Sequence, residues 1–457
     1  LIDAATLSHF FVSEGISMRV QRFALCVFVF SAGLGLAALA AAQTAIRSHS
    51  PVPNGLNLAE ALDLAAHNRQ ELASYKADLD AAALKLQHAG LPPNPELGVE
   101  WDNLGGDLPD GESKETTISL SQPIEIGGKP SARKSKGQAE ILRLQQEQTV
   151  AWLDIAAEVR LAFVEVLNAR ERFVLQQEAE KNASNLVSIT HEQVVAGKIA
   201  GTEETRAKAR MAEARVETQQ RKRFLTDAEL NLATVLAQSD GTPLTAEGDI
   251  TIDAPVPDQQ VLLAEIKNSP MLALRRSESK LAQTNLSLEQ ANAWSDPTLS
   301  LAVRDTPDED ARAIAVGISI PLPLFQRNQS ALAEAGAATL KATANEAVAN
   351  RRLQTELIKA YTALVSAKKE AQTLRTDGMS KAEEAAEAVQ EGFRAGKFRY
   401  SDVLDASESL MAMKVRYLDA LLELHRAAIT LDRLLGKPEL AGLSKDFPLS
   451  SLHRSTP

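Results

Sequence analysis

The stretch "VVAGKIAGTEETRA" (194–207) has a near-copy two hundred residues on, "GFRAGKFRYSDVLD" (392–405). Each sets Ala-Gly-Lys inside a run of Ala, Glu, Leu and Arg that otherwise has the composition of unbroken helix. A glycine after a long helix permits the left-handed residue that reverses the chain, and a cation there complements the helix's negative end. Gly197, Lys198, Gly396 and Lys397 therefore read as two hairpin turns, present twice because the hairpin is present twice.

Other landmarks keep the same spacing. Asn68-Arg69-Gln70 faces Asn268-Ser269-Pro270, Asn94-Pro95 faces Asp296-Pro297, and Pro123 faces Pro321. Marks in one order at a near-constant offset indicate an internal duplication, with a period far above that of small solenoids. Each copy opens with a helical stretch (57–90 and 258–292) and reaches Pro/Asn/Asp punctuation. Two segments of alternating hydrophobicity follow. Leu97, Val99 and Trp101, then Ile118 and Leu120, alternate with polar residues in the first copy. Leu299, Leu301 and Val303, then Ile314, Val316, Ile318 and Ile320, do so in the second. Period two predicts half-exposed strands, and the polar stretches between them, "NLGGDLPDGESKE" and "RDTPDEDA", read as loops facing water. Helices over 131–195 and 327–393 come next, each roughly 100 Å long at 1.5 Å per residue. Return helices over 202–237 and 401–435 follow the turns.

The last helix carries two heptad seams. One runs through Leu404, Met411, Val415, Leu418, Leu422 and Ile429, the other through Leu410, Tyr417, Leu421, Leu424, Ala428, Leu431 and Leu435. A helix with two seams packs against two neighbours. An ordinary helical bundle and a sheet of coiled coils closed into a barrel both meet that requirement.

The 457 residues are only 4% aromatic and carry a net charge of −11, which suits long Ala/Leu-packed helices and argues against nucleic acid as partner. Met18–Arg22 is basic, Phe23–Ala40 is apolar, and Ala40-Ala41-Ala42 offers a cleavage site before Gln43. This reads as a cleaved signal peptide, preceded by an upstream extension over 1–17; a retained anchor is the alternative. The expected organisation is extension and signal 1–42, linker 43–56, first repeat 57–255, second repeat 256–438 and tail 439–457. The one cysteine, Cys26, lies in the signal, so the mature chain has no thiol chemistry. The seven histidines form neither HxH nor HExxH, so no metal site is expected. His425, on an apolar seam, reads as a core or pore-facing residue. "EIGGKPSAR" (125–133) has Pro130 where a phosphate loop needs Ser or Thr, and no Gly-x-Ser-x-Gly occurs. No enzyme and no cofactor is expected.

In this order of elements the chain resembles the TolC-type outer-membrane efflux family over about 56–438. "LPPNPELGVEWDNLGG" (91–106), "SQPIEIGGK" (121–129), "DPTLSLAVR" (296–304) and "ISIPLPLFQRNQS" (318–330) resemble its heavy-metal, cobalt–zinc–cadmium branch. The resemblance implies a mainly α fold with a small β part. Its long hairpins would form a periplasmic α-barrel, and four strands per chain would join a trimeric twelve-strand outer-membrane β-barrel. It implies a homotrimer in outer-membrane lipid, reaching into the periplasm of a Gram-negative bacterium. That trimer would serve as exit duct for divalent metal cations, or for organic toxicants, with a periplasmic adaptor (membrane fusion protein) and an inner-membrane RND transporter. Gly197, Lys198, Gly396 and Lys397 would meet the adaptor. Asp402 and Asp405, with Glu203 six residues after Gly197 as Asp402 is after Gly396, would ring the pore constriction. Read without the resemblance, Asp402 fits a helix-start cap equally well. The family prototype's locking arginine and tyrosine are matched by Phe398 and Phe393, so any lock differs, with Arg399 and Tyr400 as further contributors. A non-transport coiled-coil protein is the competing class, and the strand pairs argue against it.

Overall fold

The computed structural model describes residues 55–102, 114–238, 241–250, 255–306 and 311–437. The signal and extension, nearly all of the linker, the tail and most of both strand-connecting loops lie outside the described residues. The elements in order are α1 (Leu58–Asn68), α2 (Gln70–His88), β1 (Glu96–Asp102), β2 (Glu115–Pro123), α3 (Lys129–Val195) and α4 (Gly201–Val235). The second copy gives α5 (Gln259–Glu265), α6 (Pro270–Asn292), β3 (Thr298–Thr306), β4 (Ala311–Ser319), α7 (Gln329–Thr373), α8 (Ser380–Arg394) and α9 (Tyr400–Leu435).

The duplication is carried by backbone torsions as much as by residues. Arg69 (ψ 107°) and Ser269 (ψ 136°) are extended and break the opening helix of each copy. The sequence reading joined 57–90 and 258–292 into single stretches, and the structure corrects both. Pro270 forces Ser269 out of helical torsions. Each break docks on the end of its own return helix: Asn68 donates to the Leu236 carbonyl at 3.4 Å and the Ser269 hydroxyl to that of Leu434 at 2.6 Å. Gly128 and Asn328, which start the long helices, are left-handed. So are Gly197 and Gly396 at the turns, and Ala237 and Gly436 at the ends of the return helices.

The first long helix is unbroken over 67 residues, whereas the second is not. A π-helical turn, Leu374–Met379, separates α7 from α8, a correction to the continuous helix expected over 327–393. Gly378 sits in that turn, where an added Cβ would stand 3.3 Å from the Met413 sulfur.

The four strands form one antiparallel meander, β1-β2-β3-β4. The register aligns Leu97, Leu120, Leu301 and Val316 across the sheet, and likewise Val99, Ile118, Val303 and Ile314. The opposite face carries Gly98, Ser119, Ala302 and Ala315. Both seams of α9 are used, since it packs on α7 and on α3. The buried centre lies mid-length, around Val159, Phe163 and Val166 of α3, Leu232 and Leu236, and Leu431 and Leu434. There Arg160 pairs with Asp432 at 2.6 Å, both buried. His425 is fully buried and bonds the Ile250 carbonyl at 2.7 Å; burial pushes its pKa down, so it is a neutral core residue.

Candidate functional site

Both hairpin tips end in the same motif. Gly197 (φ 69°) sends its N–H to the Val194 carbonyl and Lys198 to that of Gln193, each at 2.9 Å. Gly396 (φ 75°) repeats this with Phe393 at 2.9 Å and Lys397 with Gly392 at 2.8 Å. These paired bonds satisfy carbonyls that a helix end leaves open, and they require the left-handed residue. The turn reading of Ala-Gly-Lys therefore has its geometry, with both lysines exposed.

The two tips are tied to each other by a small apolar knot. Phe393 (1% exposed) and Tyr400 meet with ring centroids 6.1 Å apart and enclose Leu186, Ala207 and Val403. The Gln193 amide donates to the Phe393 carbonyl at 2.8 Å, joining the hairpins directly. Phe398 lies across Gly392, where any side chain would collide with its ring. Above the knot the hairpins part. A cavity of about 770 Å³ separates them, lined among others by Arg210, Glu217, Glu383, Glu387 and Glu408. Of the four expected lock residues, Phe393 and Tyr400 thus bind tip to tip within one chain, while Phe398 and Arg399 face outward. Sequence reasoning missed Gln193; a glutamine three residues before the first Ala-Gly-Lys carried no visible signal.

Asp402 and Glu203 occupy the same backbone position, the third of their helices. Asp402 N–H bonds the Arg399 carbonyl at 3.1 Å and Glu203 N–H that of Ala200 at 3.0 Å. Their carboxylates differ. Asp402 reaches back to cap its helix, accepting from the Arg399 N–H at 2.9 Å and the Ser401 hydroxyl at 3.3 Å. The backbone bond from Arg399 holds its carboxyl below the usual range, aided by the Arg399 charge and the Ser401 hydroxyl. Glu203 pairs with Arg206 at 3.2 Å, and Asp405 is exposed on the next part of the same face as Asp402. Nearby, Lys208 and then His191 lower the pKa of Glu204, which they contact at 2.7 and 3.1 Å. Among the described residues no three His, Cys, Asp or Glu side chains gather as metal ligands.

At the other end, charged groups brace the passage from strand to helix. Lys129 binds Asp296 at 2.6 Å, and Asp296 also accepts from the Ile126 N–H at 3.0 Å. Glu125 and Arg133 form a two-bond pair, and Arg133 donates onward to the Ala89 and Leu91 carbonyls. These residues of "EIGGKPSAR" fix the sheet on the helices. Among the described residues no helix is long and apolar enough to cross a membrane.

An outward apolar sheet set on twofold-repeated long hairpins is matched by one family profile, "Outer membrane efflux protein", which fits the chain twice, over residues 61–238 and 265–437. The chain belongs to the outer membrane efflux protein family. The two matches fall on the two copies defined above. The cobalt-zinc-cadmium resistance protein CzcC of Cupriavidus metallidurans is 34% identical over 388 residues, covering 84% of this chain and 90% of its own. The nickel and cobalt resistance protein CnrC of the same organism is 25% identical over 283 residues, 62% of this chain and 66% of its own. Among solved structures, the outer membrane protein VceC of Vibrio cholerae superposes with a TM-score of 0.70 at 20% identity, covering 83% of this chain and 96% of that one. Membership places the chain in the outer membrane as an efflux component, in a family of ducts rather than an enzyme class. The expected TolC-like architecture stands, with its internal duplication and its four strands.

Proposed function

We propose that the chain is the outer-membrane exit duct of a three-component efflux system and carries divalent heavy-metal cations outward. The observation that carries the cargo is the 34% identity to a cobalt-zinc-cadmium resistance protein over nearly the whole of both chains. The duct assembles as a homotrimer. In its support, four strands are too few to close a barrel, and β1 and β4 are both open edges. Three copies give twelve strands with the Leu/Ile/Val face to lipid and the Gly/Ser/Ala face to the lumen.

The periplasmic tips formed by Gly197–Lys198 and Gly396–Lys397 dock a periplasmic adaptor, which joins the duct to an inner-membrane RND transporter. Asp402 and Asp405, with Glu203, ring the constriction. A carboxylate held ionised by its own helix start offsets part of the repulsion that builds when like charges converge on an axis, and such rings attract cations. Capping and gating by Asp402 are thus compatible. Outward-facing Phe398 and Arg399 are the residues left to contact a neighbouring copy. The repeats are taken as 57–255 and 256–438, after a signal removed at Gln43.

The test is deletion followed by growth on cobalt, zinc, cadmium, nickel, copper and silver. Sensitivity to one or more divalent metals, restored by the intact gene, is expected. Sensitivity to organic toxicants alone would reassign the cargo, and recovery of the protein as a soluble periplasmic monomer would end the duct reading.

A further inference from the structure

The apolar ladder of the last strand does not stop where the sheet stops. Hydrogen-bonded pairing of β4 ends at Ser319, opposite Thr298. Yet Ile314, Val316, Ile318, Ile320, Leu322 and Leu324 keep strict alternation through the end of the strand and beyond it. All six are between 59% and 76% exposed, and Phe325 behind them is 90% exposed. The sequence reading placed Ile320 in the strand; the structure places it first in this overhang. β2 does the same on a smaller scale, with Ile124 and Ile126 exposed past Pro123 while Glu125 between them turns inward to Arg133.

Length shows why an overhang is needed. Within the paired sheet, Ile314 to Ile318 spans four residue steps, about 13 Å, against an apolar band of about 25 Å on outer-membrane barrels. Ile314 to Leu322, before the chain turns at Pro323, spans eight steps, roughly 26 Å along the chain, which a strand tilt of about 40° shortens to about 20 Å.

Three of the six residues from Ile320 to Phe325 leave no backbone donor open. Unpaired N–H groups are what exclude irregular chain from lipid. Pro321 and Pro323 have none, and the Leu324 N–H is taken by the Leu322 carbonyl at 2.8 Å. The segment then ends in Gln326 and Arg327, both exposed, with the Arg327 Nε held on the Pro323 carbonyl at 3.1 Å.

We infer that Ile320–Phe325, with Ile124 and Ile126, is a lipid-docking collar. It seats at the boundary of acyl chains and headgroups in the periplasm-facing leaflet, so the membrane edge lies at Phe325–Arg327 and not at Ser319. Continuity with the outward apolar face chooses lipid over other occupants, and the inference rests on that face being the wall of a barrel.

Because the mature chain has no cysteine, single-cysteine variants L322C, F325C, V316C and K222C can each carry a nitroxide in phosphatidylethanolamine/phosphatidylglycerol vesicles. Val316 marks the sheet and Lys222 an exposed site on α4. Collision rates with oxygen and with a water-soluble nickel chelate are then measured. The collar predicts that positions 322 and 325 favour oxygen, as 316 does, while 222 favours the chelate. Chelate preference at 322 and 325 with oxygen preference at 316 overturns the collar and leaves the barrel intact. Low collision with both reagents at 322 and 325 assigns the segment to a second copy and overturns it equally. Chelate preference at 316 would refute the barrel wall itself.

Discussion

Replacing Phe393 by alanine should loosen the hairpin tips without unfolding the rest of the chain. The ring is 1% exposed and packs in the knot with Leu186, Ala207, Tyr400 and Val403. Truncating a buried phenylalanine costs about 3–5 kcal/mol. Little of that loss can be taken up behind the knot, because the hairpins are parted above it by a cavity of about 770 Å³ lined by both charged and apolar side chains. The remaining cross-hairpin bond, Gln193 to the Phe393 carbonyl, contributes about 1 kcal/mol. At 1.4 kcal/mol per factor of ten, the open fraction of the tip should rise by about 10² to 4 × 10³. Amide exchange in 186–210 and 389–405 should quicken by that factor. Exchange around Val159–Leu167, in the mid-length core, should stay as it was, since local openings report local stability. In planar bilayers the variant should pass more current. Unchanged exchange at the tips, or an equal rise at Val159–Leu167, would show that the knot is not a separate closing element. Phe224→Ala, at an exposed ring on α4 outside the knot, should leave both readouts unaltered.

Further outcomes are expected. Ala237 holds a left-handed torsion (φ 53°) that glycine holds at Gly436, so Ala237→Gly should raise stability by about 1 kcal/mol. Gly436→Ala should lower it by more, because the new Cβ would stand 2.5 Å from the Pro270 ring; both are read by thermal unfolding in detergent. Arg160→Met removes the buried guanidinium facing Asp432 and should cost about 3–5 kcal/mol, most of it recovered in Arg160→Met/Asp432→Leu. For pH, a carboxyl whose folded pKa is depressed keeps its charge above that pKa and loses its cap only as pH falls through it. The Asp402 cap should therefore persist at pH values below the usual aspartate range, read as unchanged amide exchange in the first turn of α9 as pH falls through that range. Asp402→Ala/Asp405→Ala should weaken block by multivalent cations in bilayers or raise conductance at neutral pH, and no change in either would remove these residues from the constriction.

Much of the architecture could be read from residues because it is periodic or punctuated. The heptad seams of α9, the alternation of the four strands and both Ala-Gly-Lys turns are local patterns with one physical meaning each. What escaped was set by contacts distant in sequence or by torsions that ordinary residues adopt. Arg69 breaks a helix with no proline to announce it, whereas Pro270 could have revealed the equivalent break. The π turn at Leu374–Met379 changes the hydrogen bonds of a helix without disturbing its composition. Ala237 adopts a glycine's torsion under an alanine's name. At the candidate site the matching positions of Glu203 and Asp402 were legible from their common distance to a turn. That one carboxylate caps its helix while the other pairs with Arg206 was not, because it depends on side-chain reach. Phe393 and Tyr400 were singled out only separately, Phe393 beside Phe398 and Tyr400 beside Arg399, and their burial together depends on α3 and α4, two hundred residues away.

The left-handed positions also bear on how the two halves diverged. Of the pairs 128/328, 197/396 and 237/436, only the middle one has kept the same residue; the others have become Gly/Asn and Ala/Gly. The inheritance here is a set of torsions, and residue identity has drifted underneath it wherever the replacement could still hold the angle. A comparison of backbone angles would therefore trace this gene duplication further back than a comparison of letters. It would also expose the positions, such as Ala237, where one half still bears strain that the other has shed.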